Sequence, residues 1–238
     1  MEEQARRQPE TRRVVATAGL LALIVAGGCG GGSSAAPQGS GTDVATAARI
    51  NLRQSDFPAG WQGRSNPVTA SGNVQAERAL YACLGAPSPA SHTTANVNSP
   101  VFVQSSQQAS SNVKFTRKAA QSQADYGTLA QPAAGDCARR VLVSTLPGAL
   151  PFGSTVASSA ESSVPATAAV GDQAAAFYVT VDLDVRGGRT TVYADFITIR
   201  RGRALVAVQM IGLGEESPSS LREAIVSNVE SRASQVPE

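Results

Sequence analysis

The chain has 238 residues, 42% hydrophobic and 16% charged, with only 5% aromatic. This is the composition of a globular body rather than a disordered one, and its core must be built from Val, Leu, Ile and Ala. Arg6, Arg7, Arg12 and Arg13 stand against Glu2, Glu3 and Glu10 at the N-terminus, and the remainder is near neutral with no basic cluster. That argues against nucleic acid, which requires several phosphates to be neutralised, and against electrostatic docking to a membrane.

Val14–Ala26 is an uncharged apolar run behind the two Arg pairs. Crossing about 30 Å of hydrocarbon takes about 20 apolar residues, so this shorter run has the length of a signal-peptide core. The run ends in Ala26-Gly27-Gly28-Cys29, where an ordinary secretory signal would end in A-x-A. These residues resemble the lipobox of bacterial lipoproteins, in which the Cys is diacylated and becomes the first residue of the mature chain. Ala26 departs from the larger aliphatic residue usual at its place, although Val25 and Ile24 lie just upstream. The resemblance implies lipid attachment at Cys29, stable anchoring by two or more acyl chains, and a place on the extracytoplasmic face of the cell membrane. The alternative is a buried Cys closing a soluble helix. Arg12-Arg13-Val14-Val15 also resembles a twin-arginine export signal, which would mean export after folding rather than by the general secretory route.

Three segments are expected: a signal over 1–28, a flexible tether over 29–42, and a single folded domain over 43–238. Gly30–Thr42 has no periodicity and little to bury, and as a random coil it would span about 20 Å. The domain, about 195 residues, is long enough for one substantial core.

Within the domain, Asp43 is a candidate N-cap for a short helix through Leu52. Pro58-Ala59-Gly60 forces a turn that delivers Trp61, the only Trp, as a packing anchor. Val74–Leu84 has helical spacing, with Gly85 as its stop. Ala86–Pro100 reads as a loop containing His92, the only histidine, exposed to solvent. Val101–Phe115 alternates as a half-buried strand. Arg117–Leu129 and Ala133–Leu146 read as helices, the second ended by Pro147-Gly148, and Thr155–Ser163 is an ambiguous strand. Ala174–Leu213 is a three-strand meander with turns at Gly187-Gly188 and Arg201-Gly202, its last strand apolar on both faces and so interior. Ser217-Pro218 predicts a capped start to a closing helix over Pro218–Ser231, with Ser220 and Glu223 at capping-box spacing and Leu221, Ile225 and Val229 on one stripe. The expected class is α+β: an antiparallel sheet with helices packed on one face and a C-terminal helix closing it.

Export to an oxidising compartment makes Cys83 and Cys137 a candidate disulfide, since Cys29 is taken by lipid. Such a bridge would clamp two helices, and closing its loop would be worth about 4 kcal/mol in the chain-entropy account. Two separately buried thiols are the alternative.

No catalytic constellation is legible. A Ser-His-Asp triad would have to use His92, and no G-x-S-x-G is present. Ser111-Asn112-Val113-Lys114 matches S-x-x-K, but it falls in a predicted strand without companion motifs. Asp182 and Asp184, with Asp195 opposite, could form a carboxylate group, but the solvated face of a half-buried sheet accounts for them better. No metal ligands cluster along the chain and no phosphate loop stands between strand and helix. No cofactor is expected.

The chain resembles actinobacterial cell-envelope lipoproteins. The resemblance rests on the anchor, on Leu52–Trp61 read as L-x-x-x-D-F-P-A-G-W, on Ala82-Cys83-Leu84-Gly85, on Gly171-Asp172-Gln173-Ala174 and on the strand pair around Tyr193–Arg203. The order of strand, helix ending in Cys137, meander and final helix is similar to the extracellular sensor domains of mycobacterial serine/threonine kinases, which usually carry more cysteines. A Pro-x-Gly-Trp element also occurs in the photosystem extrinsic-subunit-like fold of other such lipoproteins. No functional residue carries over from either. The resemblance implies a monomeric, non-catalytic binding or sensor domain with a small-molecule, lipid or envelope-protein ligand. The alternative is a lipid or glycolipid carrier with an apolar cavity between sheet and helices.

Overall fold

The computed structural model describes residues 38–39, 41–65, 70–149, 154–164, 172–185 and 188–236. The signal run, Cys29 and most of the tether lie outside them. The last tether residues do not: Gln38–Gly39 form strand β1, and Gly41–Thr42 open helix α1 (Gly41–Ile50). Asp43 lies inside the first turn of α1 rather than at its cap, and its carboxylate accepts from Thr94 and Arg203.

The strands are β2 (Gln62–Arg64), β3 (Thr93–Asn98), β4 (Val101–Gln104), β5 (Gln107–Thr116), β6 (Thr155–Val164), β7 (Gln173–Val185), β8 (Gly188–Arg201) and β9 (Ala204–Leu213). They join one antiparallel sheet in the order β1-β3-β5-β9-β8-β7-β6, with β4 beside β5 and β2 beside β4. The expected antiparallel meander β7-β8-β9 is present, with Gly188 inside β8 opposite Val185 and Gly187 outside the described residues, and β9 sits between β5 and β8. It carries apolar residues on both faces, and Ala204, Leu205 and Val206 are buried in succession. Gly202, at φ 51°, makes the β8–β9 turn. Asp172 holds that turn by accepting from the Gly202 amide at 2.8 Å and pairing with Arg200 and Arg201 at 3.0 and 2.9 Å.

The outer edge of β5 is shared end to end by β3 and β4. At the joint the Ser99 and Ser111 backbones are stitched by the Ser99 amide and hydroxyl, 2.8 Å each. The segment expected to be a loop is therefore a strand in its second half. Thr93, Thr94, Asn96 and Asn98 mask its alternation, and only Ala95 and Val97 point into a core. The strand forms because the backbone groups along β5 need partners.

The other helices are α2 (Ala70–Cys83), α3 (Ala119–Leu129), α4 (Ala134–Ala149) and α5 (Ser219–Ala233). The α+β class, the antiparallel sheet and the closing helix are present, and the helices occupy both faces of the sheet. On one face, the packed face, α1 and α5 cover Val97, Val113, Phe115, Ile197, Val206, Val208 and Met210. On the other, the open face, α4 sets Leu142 and Leu146 over Val179, Val181, Val192, Ala194 and Ile211. Apolar residues at both parities in β8 and β9 require a second layer, so the expectation of helices on one face only does not hold.

Gly85, at φ 68°, ends α2 as expected. Helix α4 continues past Pro147 to Ala149, because a proline in the last turn removes only one amide from the ladder. Pro218 rather than Ser217 occupies the N-cap of α5, with no side-chain hydrogen bond there, while Leu221, Ile225 and Val229 enter the core as the stripe requires.

Candidate functional site

The open face is incompletely covered. A cleft of about 680 Å³ lies between β5, β8 and β9 below and α2 and α4 above. Its floor exposes Ala207, although β9 is paired on both sides. Phe177, Phe196 and Leu205 extend the floor, and Val141 and Leu142 of α4 and Leu80 of α2 form apolar walls.

Helix α2 packs on α4 and stands off the sheet. Two contacts hold it there. The structure joins Cys83 to Cys137, with Cα atoms 5.7 Å apart, linking the end of α2 to the first turns of α4. Cys137 is buried, whereas Cys83 is exposed rather than on an apolar side. Glu77 forms an ion pair with Lys114 of β5 across the mouth of the cleft.

Three amides line one end. Asn112 of β5 donates its NH₂ to Asn96 Oδ1 at 2.6 Å and to Asn98 Oδ1 at 2.8 Å, both on β3. The antiparallel register brings them together, with Asn98 opposite Asn112 and Asn96 two residues along the same face. Both Asn112 protons are spent, which leaves Asn112 Oδ1 and the NH₂ groups of Asn96 and Asn98 free of protein partners among the described residues.

Tyr81 closes the cleft from α2. It is only 3% exposed, lines the cleft, and its hydroxyl has no hydrogen-bond partner among the described residues. Burial, with the negative charges of Asp125 and Glu77 behind it, pushes the phenol well above the ordinary tyrosine range, so Tyr81 stays a protonated donor.

The other residues singled out by sequence go elsewhere. His92 is not free in solvent: its Nε2 lies 2.8 Å from Asp125 Oδ2, and the side chain is 23% exposed. Helix α3 supplies that carboxylate from 33 residues away, beyond the reach of a local reading. Ser111 and Lys114 sit on opposite faces of β5, as a three-residue spacing on a strand dictates. Ser111 Oγ donates to Asn51 Oδ1 at 2.7 Å on the packed face, while Lys114 meets Glu77 on the open one, so S-x-x-K is no unit here. The three aspartates are each engaged separately. Asp182 accepts from Ser158 and Thr191, which hold it below the usual carboxylate range. Asp184 faces Arg189 in solvent, and Asp195 is buried against Arg222 at 2.8 Å. Among the described residues no three His, Cys, Asp or Glu side chains gather as metal ligands.

Trp61 is a packing anchor, stacked on Phe57 at 4.8 Å, with Phe57 stacked in turn on Phe102 at 4.5 Å. Sequence reasoning missed Tyr81 and the Asn cluster. The only signal for the latter was the i, i+2 spacing of Asn96 and Asn98, which is meaningful once β3 is known to be a strand.

The sequence matches no protein-family model and no curated protein. Among solved structures it is similar to the extracellular domain of PknH from Mycobacterium tuberculosis, with 10% identity and a TM-score of 0.41 over 81% of this chain and 96% of that one. It is also similar to PA94, a protein of unknown function from Pseudomonas aeruginosa, with 18% identity and a TM-score of 0.19 over 55% of this chain and 74% of that one. Neither likeness bears on the cleft or on what it holds.

Proposed function

We propose that the chain is an exported lipoprotein, lipid-anchored through Cys29, that presents a non-catalytic binding domain at the outer face of the cell membrane, with the cleft over the open face as the ligand site. The observation that carries the binding role is the exposure of Ala207 on an interior strand. A sheet centre left uncovered beneath two helices is a preformed concave site, and its volume of about 680 Å³ falls in the range of small-ligand pockets. At about 30 Å³ per non-hydrogen atom, as in liquid water, it holds about 20 such atoms. The Cys83–Cys137 bridge suits an oxidising compartment and supports export.

A lipid or glycolipid carrier is the second reading, favoured by the apolar floor of Phe177, Phe196 and Leu205. The volume suits a single short chain with its head rather than two long acyl chains.

Cell fractionation tests the anchor: Cys29→Ala should move the protein from the membrane fraction to the soluble one, and unchanged sedimentation would refute lipid attachment. Native mass spectrometry of the purified protein tests the site. A co-purifying small molecule should be lost in Ala207→Phe, which fills the floor of the cleft, and retention at the parent level would refute the assignment. A co-purifying two-chain lipid would favour the carrier.

A further inference from the structure

The lining of the cleft restricts what can enter it, and this restriction rests on the binding role proposed above. Two charged residues line the cleft, Glu77 and Lys114, and they neutralise one another. An anionic head would have to compete with Glu77 for Lys114, and a cationic head would have to compete with Lys114 for Glu77. Either exchange strands a charge in a part-buried place. The remaining polar capacity is uncharged and of both kinds. Tyr81 offers a hydroxyl donor, Asn96 and Asn98 offer NH₂ donors, and Asn112 Oδ1 is an acceptor. A buried hydroxyl with no protein partner costs the fold its desolvation, and a hydrogen bond supplied by a ligand offsets that cost. Ala207 lies in register between Asn112 and Thr198, and beyond it Phe196 of the floor and Leu142 of α4 supply apolar lining.

We infer that the cleft takes an uncharged amphiphile of about 20 non-hydrogen atoms, its hydroxyl-bearing head held by Tyr81, Asn96, Asn98 and Asn112 and its apolar body laid over Ala207, Phe196 and Leu142. Because the Glu77–Lys114 pair stays closed, the head is recognised by hydrogen bonds between uncharged groups, and binding is weakly dependent on salt.

The test is calorimetric titration of the full-length Cys29→Ala chain with octyl glucoside, octyl sulfate, octyltrimethylammonium and octanol, each below its micelle concentration. Octyl glucoside has about the size the cleft holds, and it should bind at least about tenfold more tightly than either charged probe. Tyr81→Phe should weaken octyl glucoside about five- to tenfold, the worth of one hydrogen bond, and leave octyltrimethylammonium, whose head offers no acceptor, unchanged. The same variant should melt no lower than its parent, since the hydroxyl it removes has no partner.

Equal affinity for all heads, or glucoside affinity unmoved by Tyr81→Phe, overturns this inference while leaving the cleft a binding site. A lower melting temperature for Tyr81→Phe shows that the hydroxyl serves the fold and also overturns it. No binding of any octyl probe, or binding undiminished in Ala207→Phe, removes the cleft as the site and this inference with it.

Discussion

The two faces of the sheet are built to different standards. On the packed face, apolar side chains from α1, α5 and the sheet meet with Ile225, Val229, Val113 and Met210 at 0% exposure, and the polar groups buried among them are satisfied. Asn51 donates to the Val97 carbonyl at 2.9 Å, Ser111 bridges Asn51 and the Leu52 amide, and Arg232 grips both oxygens of Asp56 at 2.7 Å. On the open face, α2 is held by one disulfide and one ion pair instead of by apolar contact with the sheet. The two buried side-chain atoms without partners among the described residues, Tyr81 Oη and Gln108 Oε1, belong to that side. Stability is concentrated where polar groups are matched, and binding capacity where they are not.

The largest effect should come from breaking the packed face. Arg232 joins α5 to the carbonyls of Ile50 and Asn51 as well as to Asp56, whose side chain is 2% exposed. Arg232→Ala strands that carboxylate and should cost about 3–5 kcal/mol in urea unfolding, as removal of one partner from a buried pair does. A loss under about 1 kcal/mol would mean that the pair is solvated in solution.

Removing the tie on the open face comes next. The bridge closes a separation of 54 residues, and Cys83→Ser with Cys137→Ser should cost about 2–4 kcal/mol. The contrast is sharper in hydrogen exchange: amides of α2 should lose protection in the double variant well before those of α1. Equal loss in both helices would show that the two faces unfold as one unit.

The smallest effect tests whether the packed face is fully compensated. Burial outweighs the Arg222 hydrogen bond and charge at Asp195, so its carboxyl lies above the usual aspartate range. A carboxyl raised in this way favours the native state while protonated, below its unfolded pKa of about 4, and that contribution is lost as pH rises through the folded value. Asp195→Asn does not titrate. The stability of the parent relative to this variant should therefore fall as pH rises from about 4, and a difference that rises instead would reverse the sign assigned to this burial.

What could be read along the chain depended on how local the cause was. The meander, its turn at Gly202 and the stripe of α5 were legible, because apolar alternation at period 2 and period 3.6 is written in neighbouring residues. Cys83 and Cys137 could be paired once export was assumed, since only two cysteines remained to join. The address proposed for Val14–Cys29 rests on those residues alone.

Tertiary structure decided the rest. Strand β3 exists because β5 has an edge to satisfy, and nothing in Thr93–Asn98 announces it. His92 acquires Asp125, and Asn112 acquires Asn96 and Asn98, across register and topology that no window of sequence contains. The cleft is a gap between layers, set by how far one bridge and one ion pair hold α2 from the sheet. Apolar patterning states which residues seek burial, but whether the layer above reaches them is a property of packing in three dimensions. Ala207, small and apolar on an interior strand, reads as core and is found exposed on the floor of the site.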